Sequence, residues 1–250
     1  MSRNQTAIAY FIFSNLLYQI TQAQTNTIQY EIGAGLTSFI YQGDLTPSSI
    51  GSFRTMRPGI YIHGSKILGS SFFLRTQLAI GGLRGNDATY DNPEYRQQRN
   101  FNFRSPVIEL SQQLAWNPLG KNHADKGFSP YVFAGVGISF LKIKRDWSNF
   151  NAEYFGALGE DVAARLVVDA AHSVPKIIPV IPVGLGVRYN LSSRWAVNAE
   201  SAYRVVFTDY LDGFSQAANP DKNDHYHTIS AGAIYRIGKK NTLACPVLRY

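Results

Sequence analysis

Apolar and polar positions alternate along most of this chain. In SPYVFAGVGISFLKIK, residues 129–144, Val132, Ala134, Val136, Ile138 and Phe140 share one parity; Phe133, Gly135, Gly137, Ser139 and Leu141 share the other. A period of two marks a β-strand. One side of this strand is wholly apolar and the other is mostly small. Seven further stretches repeat the pattern: TIQYEIGAGLTSFIY from Thr27, PGIYIHGS from Pro58, SFFLRTQLAIGG from Ser71, PVIELSQQLAW from Pro106, IPVGLGVRYN from Ile181, RWAVNAESAYRVVF from Arg194 and HTISAGAIYRIG from His227. The apolar parity holds Tyr30, Ile32, Ala34, Leu36 and Ile40 in the first of these, and Val183, Leu185, Val187 and Tyr189 in the fifth. The pattern predicts eight strands.

The connections alternate too. Long ones follow every odd strand: Gln42–Arg57, Gly85–Arg104, Arg145–Lys176 and Asp209–Asp224. Short ones follow the even strands; Leu191, Ser192 and Ser193 make the tightest. An up-and-down meander has two ends, and here one end owns the long loops. Transmembrane barrels show this asymmetry, with short periplasmic turns and long outer loops. A soluble eight-stranded barrel with an apolar interior also alternates. Its solvated face, however, would be about a quarter to a third charged. Here the polar parity is mainly Gly, Ser, Ala and Gln, and lysines such as Lys66, Lys142 and Lys144 gather at strand ends. Tyr30, Phe72, Trp116, Phe140, Tyr189, Trp195 and Phe207 stand near the ends of the apolar faces, which suits membrane interfaces. The expectation is an all-β, eight-stranded, antiparallel, up-and-down transmembrane β-barrel of the bacterial outer membrane, whose apolar faces touch lipid.

In that arrangement Glu31, Arg75, Glu109, Arg188, Glu200, Arg204 and Arg236 point into a narrow bore. Charges in a low-dielectric interior must pair. A carboxylate–guanidinium network is therefore expected there. It would plug and stiffen the bore, since small barrels are packed rather than porous; ion or proton conduction is the alternative. The small residues Gly135, Gly137 and Ser139 are read as a response to crowding inside.

Charge, ends and cysteine refine the picture. MSRNQ carries Arg3, an apolar run follows, and Thr21 and Ala23 sit at the small positions of a cleavage site. This is the form of a secretory signal peptide over residues 1–23, with an amphipathic helix as the alternative. The barrel then covers 24–238, and 239–250 form a periplasmic tail. Lys and Arg number 24 against 17 Asp and Glu, but no basic run marks a nucleic-acid site. Cys245 is the lone cysteine, which excludes a disulfide framework and a thiolate metal cluster.

Motifs for chemistry are sparse. His225 and His227 share a strand face, but a metal site needs more ligands. His227 and Ser230 have opposite parity and cannot form a dyad. The GxG steps at Gly33, Gly135 and Gly184 lie inside strands, so they are not nucleotide loops. No cofactor, metal, small-molecule substrate or catalytic residue is expected. GALGEDVAARLVVDAAHS, Gly156 to Ser173, has helical composition, with Val162, Leu166, Val167 and Ala170 as an apolar stripe. It suits a cap over the barrel or a partner-binding helix.

RVVFTDYLDGFS at 204–215, followed by NDHYH at 223–227, resembles the PorG-like family of outer-membrane barrels of Bacteroidota, which includes a component of the type IX secretion system. YQGDL, FNFRSPVIEL, SPYVFAGVGISF and IPVGLGVRYN fit the same family in order. The most specific element is Phe207, Thr208, Asp209, Tyr210, Leu211, Asp212 and Gly213. The segment Tyr154 to Lys176 departs from the family pattern. The resemblance implies a non-catalytic barrel that anchors periplasmic ring proteins, including a lipoprotein, to the outer membrane. Candidate docking elements are the turn NPLGKNHADKGFS, with Lys121, His123 and Lys126, and the tail KKNTLACPVLRY. The alternative is a surface adhesion or interaction barrel acting through its outer loops, where TYDNPEYRQQRNFNF has a composition suited to recognition.

Overall fold

The computed structural model describes residues 29–48, 51–220 and 222–238. The expected signal peptide, the tail from 239 and Cys245 lie outside these residues. Nine strands follow in chain order: β1 (Tyr30–Gln42), β2 (Arg57–Ile67), β3 (Phe72–Asn86), β4 (Asn102–Trp116), β5 (Gly127–Leu141), β6 (Lys144–Asp146), β7 (Ile177–Asn190), β8 (Trp195–Val206) and β9 (His225–Ile237). All pairings are antiparallel, and β1 pairs with both β2 and β9. The ring β1-β2-β3-β4-β5-β7-β8-β9 closes with no free long edge. Closure matters because an edge strand in lipid would leave its N–H and C=O groups without partners.

The short strand β6 prolongs β5. Val107 pairs with Leu141 and, in the same register, Arg104 pairs with Lys144. The break between them falls beside Pro106, which has no N–H to give the ladder. Lys142 instead donates its backbone N–H to Ser105 Oγ at 3.1 Å. The architecture is therefore the expected eight-stranded meander, with β6 as a continuation of β5 above the break.

Parity sorts the two faces as expected along the strands. Glu31, Arg75, Gln113, Tyr131, Arg188 and Arg236 are buried, while their neighbours Ile32, Leu74, Leu114, Val132, Val187 and Tyr235 are exposed. Leu36 is 72% exposed and Val136 66%, values no soluble sheet tolerates across a whole ring. At the turn end, Tyr30, Phe72, Trp116, Phe128, Tyr189, Trp195 and Tyr235 stand outward as an aromatic girdle.

Three expectations change. Ile40 has the outward parity but is fully buried, because the first long loop folds back over it; a Cβ on Gly51 would lie 3.3 Å from its Cγ2. The helix expected in the third long loop runs Ala157–Ala171, but its packed stripe differs. Leu166 and Asp169 are buried and Val162 packs against the core, while Val167 is 70% exposed. Finally, Gly135 is small for a backbone reason: a Cβ there would meet the Gln112 carbonyl at 2.1 Å. Crowding by a side chain is the constraint at Gly33 instead, where the His63 ring would be 2.2 Å away.

Strands β3 and β4 also run further than expected, pairing out to Asn86 and Asn102. The loops above them cover the mouth. Phe39, Tyr41, Leu45, Phe101, Phe103, Leu166, Leu211 and Phe214 form one buried cluster, with Trp147, Phe150 and Val162 against it.

Candidate functional site

The bore is filled in three tiers. Nearest the turns, Glu31 stands between two cations: Arg188 Nη2 at 2.9 Å and Arg236 Nε at 3.4 Å. Arg236 also donates to the backbone carbonyls of Asn122 (2.6 Å) and Ala124 (2.8 Å), which ties the turn after β4 into the bore. In the middle tier Arg75 pairs with Glu200 and donates to Gln113 Oε1. The hydroxyl of Tyr131 and the Asn198 amide donate to the same Glu200. Arg75 also lies over the Phe133 ring, 4.7 Å from its centroid. In the upper tier Arg204 grips Glu109 with two contacts of 3.1 Å. Tyr226 donates to Glu109 Oε2 at 2.8 Å, and Arg204 also reaches Thr228.

All seven residues read from the sequence as bore charges thus pair inside the bore, in three stacked clusters. Planar forks against carboxylates give short, directional bonds. Each charge is buried, so the geometry is what keeps desolvation from dominating. Filled in this way, the bore leaves its charges no role at a solvent-exposed surface.

The motif Phe207 to Gly213 builds the cap. Phe207 itself is exposed. Thr208 Oγ1 accepts from Tyr210 N–H at 3.2 Å, and Leu211 is fully buried. Gly213 has φ +90°, a conformation that a side chain disfavours, and its carbonyl accepts from Arg145. Asp212 Oδ1 accepts from Phe214 N–H at 2.8 Å. Tyr41 Oη lies 2.7 Å from Asp212 Oδ2 and 2.8 Å from Asp224 Oδ1. A phenol has one hydrogen, so it donates to one carboxyl and accepts from the other, which must carry a proton. Burial accordingly raises both Asp212 and Asp224 well above the usual carboxylate range. Burial also lifts Asp209 to about 6.

Two further aspartates pin the loops. Asp87 accepts from Arg96 (2.8 Å) and Arg99 (2.6 Å). Asp169 accepts the backbone N–H groups of Ser215, Gln216 and Ala217 within 3.2 Å. Neither was among the residues expected from sequence, nor were Tyr41, Arg96 and Arg99. Irregular loops carry no periodicity that would single them out. Arg96 and Arg99, in a stretch read as a recognition loop, are turned inward by these bonds.

At the turn end Lys121 and Lys126 are exposed, whereas His123 is half-buried. Burial and the nearby Arg236 lower its pKa. His225 and His227 point outward beside the Tyr203 ring, at 5.3 and 6.4 Å between centroids. Ser230 points into the bore and contacts Thr37 Oγ1 at 2.8 Å, so His227 and Ser230 lie on opposite faces. No cluster of three metal-ligating His, Cys, Asp or Glu side chains occurs among the described residues.

A closed antiparallel ring, a largely apolar outer belt interrupted by the hydrogen-bonded pair Thr76–Gln112 and by Ser201, and a polar bore crossed by ion pairs define a transmembrane β-barrel of the outer membrane. The chain belongs to the family described as Domain of unknown function (DUF6089), whose model matches residues 7–237. Comparison with curated proteins finds no match. Among solved structures, the chain is similar to Ail, the attachment invasion locus protein of Yersinia pestis. The identity is 12% with a TM-score of 0.45, covering 84% of this chain and 98% of Ail. It is also similar to the outer membrane protein OprG from Pseudomonas aeruginosa, at 11% identity and a TM-score of 0.45, covering 87% of this chain and all of OprG. The outer membrane enzyme PagL is a third, at 11% identity and a TM-score of 0.39, covering 83% of this chain and 99% of PagL.

Proposed function

We propose that this barrel is a non-catalytic scaffold of the outer membrane that works through its two rims rather than through its bore. The observation that carries this reading is the sealed bore: three tiers of buried Arg–Glu pairs cross it, with Tyr226 and Ser139 joined at 2.7 Å in the upper tier. A packed interior stiffens a wall; it does not pass solutes. On the sequence resemblance, the reading goes further: the scaffold anchors periplasmic ring proteins, a lipoprotein among them, in the type IX secretion machinery. Two features support this. The FTDYLDG element folds as the keystone of the cap, and Lys121 and Lys126 are free at the turn end for a partner. Deleting the gene should abolish secretion of cargo carrying the C-terminal sorting signal, and mild-detergent purification should bring the ring lipoprotein with the barrel. Unchanged secretion would overturn the anchoring role. Steady ion conductance in planar bilayers would overturn the sealed-bore reading on its own.

A second reading, a surface interaction barrel, has its own observation. The short helix Ala152–Phe155 and the helix Ala157–Ala171 that follows it leave Tyr154, Leu158, Val167 and Val168 between 52 and 70% exposed. Trimming residues 152–171 without loss of cell-surface binding would exclude it.

A further inference from the structure

We propose that the loop-end outer wall of β3, β4, β5 and β6 binds the phosphate groups of an anionic lipid in the outer leaflet. The rows of the wall carry the case. Ile80, Ile108 and Phe140 stand side by side as the last apolar row of this sector. Two residues beyond, Gly82 pairs with Pro106, and Lys142 follows on the β5 extension. Two residues beyond that, Arg84 pairs with Arg104, and Arg104 pairs with Lys144. All four cations are exposed. Like charges directly opposite one another on a sheet repel, so the row needs an anion from outside.

Nothing inside the protein supplies one. Among the described residues, none of Arg57, Arg84, Arg104, Lys142 or Lys144 forms an ion pair, while Arg96 and Arg99 at the same end both hold Asp87. Arg145, their neighbour, is spent on the carbonyls of Gly213, Ala170 and His172. Among the described residues lining this end of the wall, the carboxylate is Asp146, which lies a further row out beside Asn102 and bounds the patch on its aqueous side.

Position selects a lipid over a soluble anion. The nine residues from Ile108 to Trp116 on β4 match the ~9–11 that a tilted strand needs to cross the hydrocarbon. Arg84, Arg104 and Lys144 therefore fall at headgroup height. Between belt and cations lies a shallow recess floored by Pro58, Gly81, Gly82 and Pro106 and edged by Arg57, Arg104, Lys142 and Lys144. Outward Gly82 and Pro106 place no long side chain there, so a headgroup can settle onto the wall. Guanidinium forks then take phosphate oxygens two at a time. The wall across the barrel carries mainly apolar outward residues at its loop end, Ile177, Ile181, Val205, Phe207 and Ile229; its basic groups there, Lys176, His225 and His227, form no row of paired Arg and Lys among the described residues.

The test uses the full chain purified in mild detergent, with a bisphosphorylated glycolipid and its dephosphorylated form as probes, read by native mass spectrometry. The intact protein should retain the phosphorylated lipid at least tenfold better than the dephosphorylated one, with retention falling as salt rises. A variant carrying Arg84→Ser, Arg104→Ser and Lys144→Ser should lose that preference, whereas Lys66→Ser with Lys121→Ser should keep it. Folding of each is checked by the heat-dependent gel shift. If the triple variant misfolds, Arg104→Gln alone should still lower retention at least threefold. Equal retention of both lipids, or an undiminished preference in the variants, would overturn the proposal. So would displacement of the lipid by inorganic phosphate at equal concentration, which would point to a soluble anion.

Discussion

The bore and the loop cap bury charge in opposite ways. In the bore, Arg75, Arg188, Arg204 and Arg236 face Glu31, Glu109 and Glu200, and every carboxylate meets a guanidinium. In the cap, carboxylates dominate: Asp212 and Asp224 share a tyrosine hydroxyl, and Asp169 collects backbone N–H groups. The difference follows from the backbone. Strands satisfy their own N–H and C=O groups in the ladder, so bore side chains need only satisfy one another. Loops leave N–H groups orphaned, and a buried orphan is costly; short acidic side chains are the remedy. The bore is therefore balanced by sign throughout, whereas the cap sets one such cluster, Asp87 with Arg96 and Arg99, beside carboxylates held by hydrogen bonds.

The largest expected effect breaks the bore side of this contrast. Glu109→Ala leaves Arg204 buried without its partner and removes an acceptor from Tyr226. Losing one member of a buried pair costs about 3–5 kcal/mol, so the urea midpoint of the whole barrel in lipid vesicles should fall; an unchanged midpoint would deny the network its structural role. Asp169→Ala should cost about 2 kcal/mol, within the range for hydrogen bonds to a charged group, but only locally. Hydrogen exchange should rise at 215–217 while the strands stay protected. If the strands loosened too, cap and bore would form one cooperative unit.

Acidity separates the regions next. Asp209, Asp212 and Asp224 have folded pKa values above their unfolded ones, so the folded cap binds protons more tightly than the unfolded chain. Their contribution is complete below the unfolded value of about 3.9 and is lost as pH rises through the folded values. For Asp209 that window ends near 6. Limited proteolysis of residues 207–224 should therefore be slower at pH 4.5 than at pH 8, and the reverse order would contradict the shared proton. The smallest effect is Val167→Ser, which should leave stability within about 0.5 kcal/mol, since the side chain is 70% exposed. A larger loss would mean that this face of the helix is covered.

Much of the wall was legible before any coordinates. Parity along Tyr30–Phe39 and Pro106–Trp116 assigns inside and outside residue by residue, because successive side chains of a strand point to opposite faces. The seven bore charges could be named for the same reason. Their partners could not: whether Arg75 meets Glu109 or Glu200 depends on how far each strand is sheared against the next. Ile40 shows the opposite failure, since its parity is right but a loop hides it. The cap was illegible altogether. Asp87, Asp169 and Tyr41 sit far apart in sequence, and nothing periodic links them.

The amino-acid order alone determined which side of each ribbon meets lipid, how many ribbons there are and which end carries the loops, because these depend on local alternation and spacing. Only the closed tertiary structure decided which guanidinium meets which carboxylate, that Asp212 and Asp224 share one phenol, and that Arg84, Arg104 and Lys144 stand abreast. Those facts depend on register across the ring and on loops folding back over its mouth, and neither is set within any single segment.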